Sequence, residues 1–268
     1  MSQNIRVLEL VEQILYHKHL YYKGKPQISD ADYDALEDEL RHLEPVHPAL
    51  KYVGTSIGGK KAKHRRAMLS LAKTYEFADL ISWQKSQTLL ATYKIDGNSV
   101  SLLYDGGRLV EAKTRGDGQA GEVVSDKLAW VPSLPRSLSD SGLWEVRGEL
   151  FCRDGQFAAL VAKMAELGLE KPSNPRNVVA GILGRKQHGD LARFFDFFAF
   201  DVESEDNPTL FAKEQAKYTW MKKRGFLLPH YAVVRDEGEI RKFLEEVQEF
   251  SVSGDYGVDG AVFSFDDL

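Results

Sequence analysis

The chain has 268 residues, 43% of them hydrophobic, 11% aromatic and 28% charged, which excludes a disordered polypeptide and allows one or two domains. Its 35 basic and 40 acidic residues leave a net charge of −5, so any contact with nucleic acid has to come from local patches. No apolar run approaches the ~18 residues of a membrane helix, and the single cysteine, Cys152, rules out an internal disulfide and a cysteine-based zinc site.

The first residues carry no signal-peptide core, and the cytoplasm is the default compartment. Up to residue 50 the chain reads as a helical hairpin. Ile5, Leu8, Val11 or Glu12, Leu15 and His19 form a mostly apolar stripe at helical spacing. Pro26 ends it, and Ser29 with Asp32 three residues on resembles a capping box. Leu36, Leu40 and Leu43 share a face of the second helix, which stops before Pro45 and Pro48. Residues 53–66 read as a basic linker. Its run Lys60-Lys61-Ala62-Lys63-His64-Arg65-Arg66 is either solvated or a contact to DNA phosphates.

A short helix near 76–85 then gives way to period two. Strands are expected at 89–95, 99–104, 108–114, 143–152, 194–202, 230–234 and 258–265, with Asp105-Gly106-Gly107 turning the second into the third. Helices are expected at 155–167, 210–224 and 237–250. Hairpins with interspersed helices and no strict βαβ rhythm give an α+β fold built on antiparallel sheets.

Lys94-Ile95-Asp96-Gly97 is the most informative string. A lysine among apolar neighbours and cationic groups can lose its proton near neutral pH and act as a nucleophile. Asp96 and Gly97 would turn the chain so that a phosphate approaches the backbone. Taken alone, the string reads more readily as a surface lysine before a turn.

Its context changes that reading. Thr114-Arg115-Gly116-Asp117-Gly118, Glu145-Val146-Arg147-Gly148-Glu149, Asn174-Pro175-Arg176-Asn177, Phe197-Phe198-Ala199-Phe200 and Asp259-Gly260-Ala261-Val262 follow in order. With Lys94 they resemble the motifs of covalent lysyl-nucleotidylating enzymes, which include DNA ligases, RNA ligases and mRNA capping enzymes. The first and third strings, with His64 and Met68-Leu69-Ser70-Leu71, resemble more narrowly the bacterial-type NAD-dependent DNA ligases. Leu20-Tyr21-Tyr22, the stretch 26–34 and His47-Pro48-Ala49-Leu50 are similar to that family's Ia segment.

The resemblance implies a helical Ia domain over 1–52 and a nucleotidyltransferase (ATP-grasp-like DNA ligase/mRNA capping) domain over 67–268. Tyr21, Tyr22, Asp30, Tyr33 and Asp34 would hold the nicotinamide mononucleotide half of NAD. Flat tyrosine faces suit the cationic ring, and carboxylates suit the ribose hydroxyls. Lys94, with Asp96 beside it, would attack the α-phosphorus. Arg115 would hold the ribose or phosphate, Glu149 the ribose or a hydrated Mg2+ through water, and Asp259 would orient Lys94. Phe200 would stack on adenine, with Ser70 and Leu71 also at the nucleotide. Arg176 and Arg185 would contact nicked double-stranded DNA.

The chain also departs from the family's pattern. Thr92 stands where a glutamate reads the adenine amino group. Gly184 fills an arginine position beside Arg185, and Ser251 replaces an arginine in what reads as a loop. Ser264 stands where a phosphate-binding lysine is usual. The family's last catalytic lysine, OB-fold, zinc module, helix-hairpin-helix region and BRCT domain are not in the sequence. This implies either a truncated product or a short subunit with a second polypeptide, and no nick sealing by this chain alone. Two other readings stay open: an impaired NAD- or partner-binding module, and an RNA ligase or capping-type enzyme.

Overall fold

The computed structural model describes residues 2–22, 27–45, 47, 50 and 60–268, the first helix and the start of the second partly by backbone alone. Contacts divide the chain into two units, Met1–Ser70 with Arg115–Val123, and Leu71–Thr114 with Val124–Leu268. No described helix is long and apolar enough to cross a membrane.

In the first unit, α1 (Ser2–Tyr22) and α2 (Asp30–Leu43) form the expected hairpin. Val7, Leu10 and Ile14 bury against Leu40, flanked by Val11, Tyr33, Leu36 and Leu43. Leu15, expected on the inner stripe, is exposed; one residue, about 100° of helix, separates it from the buried Ile14. Arg6 grips Glu39 through Nε and Nη2, both at 2.7 Å, and Lys18 meets Glu37 at 3.0 Å.

The capping box forms as read. Ser29 Oγ accepts from the Asp32 amide at 3.1 Å, and the Ser29 amide donates to Asp32 Oδ2 at 3.3 Å. Ser29→Ala should cost about 1 kcal/mol of helix stability, seen as faster hydrogen exchange at the start of α2. Unchanged exchange there would contradict the role of the box.

The described part of the expected linker is partly strand. β1 (Lys61–Lys63) pairs antiparallel with β5 (Ala120–Glu122), Lys61 opposite Glu122.

The second unit holds two sheets. One has the order β8-β2-β9, from β2 (Leu89–Ile95), β8 (Tyr231–Val234) and β9 (Val258–Phe265). The other has the order β4-β3-β6-β7, from β3 (Asn98–Asp105), β4 (Arg108–Thr114), β6 (Leu143–Phe151) and β7 (Asp196–Ser204). All these pairings are antiparallel, as the sequence led us to expect.

Strand β2 is central and buried on both faces. Leu89, Ala91, Tyr93 and Ile95 pack with Ile240, Phe243 and Val247 of α8 (Glu237–Ser253), and with Phe151 and Phe198. Leu90 points the other way, into the larger core with Val100, Leu102, Val146, Leu150 and Phe197. Every residue of β2 except Lys94 is buried. The interior of a strand end therefore carries one outward lysine.

Helices α3 (Phe77–Gln84), α5 (Asp154–Glu166) and α7 (Glu214–Lys223) lie where expected, α7 starting four residues late. Besides β1 and β5, three helical elements were not read from the sequence: α4 (Ser125–Leu128), α6 (Pro175–Leu183) and a 3-10 helix at Gly189–Phe194. The last displaces the start of β7 from 194 to Asp196. Asn174 caps α6, its Oδ1 accepting from the Asn177 amide at 2.7 Å, with Pro175 at the first helical position.

Candidate active site

The site is built where β2 runs into β3. Tyr93 pairs with Ala261 and Ile95 with Val258, so the single residue Lys94 faces two, Asp259 and Gly260. This is a β-bulge, which bends the strand and re-aims a side chain. Gly260 has φ of +148°, a conformation that favours glycine. The bulge turns Asp259 onto Lys94, whose Nζ donates to both carboxylate oxygens, at 2.8 and 2.7 Å. Both side chains are accessible, at 46% and 37% exposure.

The Asp96-Gly97 turn is fixed on two sides. The Asp96 amide donates to Gly257 O at 2.9 Å, just ahead of β9. Arg176, in the first turn of α6, sets its Nε 2.9 Å from Asp96 Oδ1. A Cβ on Gly97 would lie 2.3 Å from Leu150 O. The glycine thus admits the close approach of β6, within the Asp96-Gly97 turn that the sequence reading assigns to a phosphate. Glu149, the neighbour of Leu150, accepts at Oε2 from Ser99 Oγ at 2.7 Å, directly across the β3–β6 ladder.

Lys94, Asp96, Glu149, Arg176 and Asp259 are therefore joined through one set of strand ends. Arg176, expected on DNA, stands against the residue two positions from the lysine. Arg185 follows α6, half-buried, its amide donating to Ile182 O. Phe200 is the extra residue of a second bulge, since Arg147 pairs with Asp201 but Gly148 with Ala199. It is half-buried, unlike its fully packed neighbours Phe197 and Ala199. Leu71 is exposed.

Arg115 and Ser70 belong to the first unit. Arg115 O lies 3.0 Å from His64 Nε2, and Ser70 is exposed. Asp117 Oδ1 closes the turn by accepting from the Gln119 and Ala120 amides. Burial pushes the Asp117 carboxyl up, but those amides and nearby Lys61 outweigh it and hold it below the usual range. In the helical hairpin, Tyr33 packs on the core and its hydroxyl donates to Glu37 at 2.7 Å. Asp34 is half-buried. The side chains of Tyr21, Tyr22 and Asp30 lie outside the described residues.

The departing positions are placed as follows. Thr92 is buried and hydrogen-bonds with Tyr218, whose phenol is pushed up by burial. Ser264 pairs with Leu90 and so shares the Lys94 face of the sheet. Gly184 is the C-cap of α6. Ser251 is not in a loop: it lies in the last turn of α8, its hydroxyl donating to Gln248 O at 2.7 Å. Cys152 is buried, and burial pushes its thiol up to about 12.

The reading by residue type missed Arg153, Asp255 and Tyr256, which meet in space just ahead of Gly257, the residue bonded to the Asp96 amide. No local pattern marks them, because 102 positions separate Arg153 from Asp255.

This pair of antiparallel sheets is the nucleotidyltransferase type of fold. The family model of the NAD-dependent DNA ligase adenylation domain matches residues 58–268. A second, the DNA ligase-like, N-terminal NAD+-binding domain, matches residues 1–54. The chain belongs to the NAD-dependent DNA ligase family, of which it carries the Ia and adenylation domains.

A DNA ligase of Corynebacterium jeikeium (strain K411) is 37% identical over 72% of this chain and 31% of its own length. One of Desulforudis audaxviator (strain MP104C) is 34% identical over 98% of this chain and 43% of its own length. One of Sorangium cellulosum (strain So ce56) is 30% identical over 98% and 42%. The chain thus spans less than half the length of these relatives. The expectation of a second polypeptide draws no support from them. Among solved structures, an archaeal ATP-dependent RNA ligase superposes with TM-score 0.47 at 12% identity, over 76% of this chain and 46% of that one.

Proposed function

We propose that this chain performs the first step of an NAD-dependent DNA ligase, transfer of AMP from NAD to Lys94. The observation that carries this reading is the bulge that sets Lys94 against Asp259. An ion pair this exposed contributes about 0–1 kcal/mol to stability, so stability does not account for a bulged strand built to hold it. A poised amine does.

In the step, Lys94 Nζ bonds to the adenylyl phosphorus and the bond to the nicotinamide mononucleotide phosphate breaks. The lysine proton leaves through Asp259, its hydrogen-bond acceptor. Asp96 and Arg176 hold the turn beside the nucleophile. Glu149 takes the ribose side, Arg115 the ribose or phosphate, and Phe200 the adenine face, with Ser70 and Leu71 as further nucleotide contacts. Tyr21, Tyr22, Asp30, Tyr33 and Asp34 of the hairpin hold the nicotinamide mononucleotide half.

Among the described residues no three carboxylates, histidines or cysteines converge on a metal position. Magnesium would therefore be held by substrate phosphates and, through water, by Glu149, and would offset charge at the phosphates. The AMP would then pass to the 5′-phosphate of nicked DNA, with Arg176, Arg185 and the basic stretch 60–66 as phosphate contacts. Only adenylation is proposed for this chain by itself.

The test is incubation with NAD labelled in its AMP half, beside labelled ATP and GTP, with magnesium present. Covalent label from NAD alone is expected. Label from ATP or GTP but not NAD would point to an RNA ligase or capping-type enzyme, and NAD held without transfer to a binding module.

Ser264 gives a second handle. It sits opposite Leu90, four residues or about 13 Å of strand from Lys94, so that a lysine there and Lys94, leaning toward each other, could meet on one phosphate group. Ser264→Lys should speed adenylation about tenfold by adding charge at the phosphates. An unchanged rate would mean that the missing lysine does not limit the step.

A further inference from the structure

The loop between α8 and β9 reaches the nucleophile through three contacts in succession. Asp255 pairs with Arg153, Gly257 O accepts from the Asp96 amide, and Asp259 accepts from Lys94. Its first anchor is the most elaborate. Arg153, two residues past the end of β6 and the N-cap of α5, holds Asp196 at the start of β7 through Nε at 2.6 Å. Its Nη1 holds Asp255 Oδ2, also at 2.6 Å. The same guanidinium lies 5.4, 5.6 and 5.2 Å from the rings of Phe151, Phe198 and Tyr256, within cation–π range. The Asp154 amide adds a bond to Asp255 O at 2.9 Å.

Arg153 is thus one side chain that ties the ends of β6 and β7 to the loop four residues ahead of Asp259. We propose that Arg153 is a positioning residue for the nucleophile, fixing the loop so that the bulge delivers Asp259 to Lys94. The proposal rests on the reading of Lys94 as the adenylated residue. Asp255 is 61% exposed, and a pair with so exposed a carboxylate contributes little to stability. Its placement makes sense as a register pin: without it the loop keeps, among the described residues, ring packing and backbone bonds, which tolerate a slide.

The test compares Asp255→Asn, Arg153→Met and Arg153→Lys with wild type in single-turnover adenylation over a range of NAD. Asp255→Asn should lower the rate constant at saturating NAD about tenfold and Arg153→Met about a hundredfold, the scale of a displacement near 1 Å. The half-saturating NAD concentration should stay within about twofold. Arg153→Lys, able to pair with one carboxylate but not span both, should recover part of the loss. Asp255→Asn should melt within about 2 °C of wild type. A rate that follows melting temperature across the three variants, or an unchanged rate in Asp255→Asn, would overturn the proposal.

If wild type takes no AMP from NAD, the functional reading fails by itself, and the positioning claim is judged by acetylation of Lys94, read by peptide mass. Loosening Asp259 should raise Lys94 labelling about threefold over the other lysines, the scale of losing one exposed pair. Equal labelling in variants and wild type would sink it.

Discussion

Lys94→Arg should abolish covalent adenylation while leaving the fold intact. A guanidinium stays protonated at any working pH and cannot attack phosphorus, yet it keeps the positive charge and two-pronged donor geometry that Asp259 accepts from. Lys94 is the exposed residue of an otherwise buried strand, so the longer head reaches solvent without disturbing either core. The loss of rate should exceed about 10⁴-fold, as expected when a covalent nucleophile is removed, with a melting temperature within about 2 °C of wild type. Undiminished labelling of this variant would place the nucleophile elsewhere.

Gly97→Ala carries the largest expected effect on stability. The new methyl would stand 2.3 Å from Leu150 O and 3.1 Å from Glu149 Cγ. Leu150 O belongs to the β3–β6 ladder, in which Asn98 faces Leu150, so it cannot retreat without breaking sheet hydrogen bonds. Overpacking against backbone should cost about 3 kcal/mol, a fall of roughly 10 °C in melting temperature for a domain of this size. Adenylation should weaken as well, because the turn that must shift carries Asp96 and follows Lys94. Gly155→Ala is the contrast. Its Cβ would meet nothing within 4 Å, inside the first turn of α5, and it should be neutral or slightly stabilising. Equal melting of Gly97→Ala and wild type would contradict the close approach of β6.

Much of this fold could be read from residues because its strands are long and their patterns clean. Leu89–Ile95, Arg108–Thr114 and Val258–Phe265 fall on the expected bounds, each an apolar or alternating run closed by glycine or aspartate. Helix α6 escaped because Val178, Val179 and Gly181 are weak helix formers. Its Asn174-Pro175 start also reads as part of a motif, and the same two residues are a cap and a first helical position. Ser251 was misplaced for a similar reason. Serines near a helix end suggest a loop, but Ser251 and Ser253 bond back to Gln248 O and Glu249 O and stay within α8.

The candidate site divides along the same line. Lys94, Glu149 and Asp259 could be named because motif order points to them. The devices that aim them could not. The bulge opposite Lys94 joins residues 165 positions apart, and Arg153 gathers three segments whose only common feature is nearness in space. The three-residue β1 was likewise beyond reach, since its partner lies near 120 and so short a strand has no period to detect.

The most direct test of the account is the intact mass of the chain after incubation with NAD and magnesium, followed by mapping of any modified peptide. The account predicts a gain of one adenylate residue, located on Lys94 and absent from Lys94→Arg. An unchanged mass at NAD concentrations that saturate binding would contradict it.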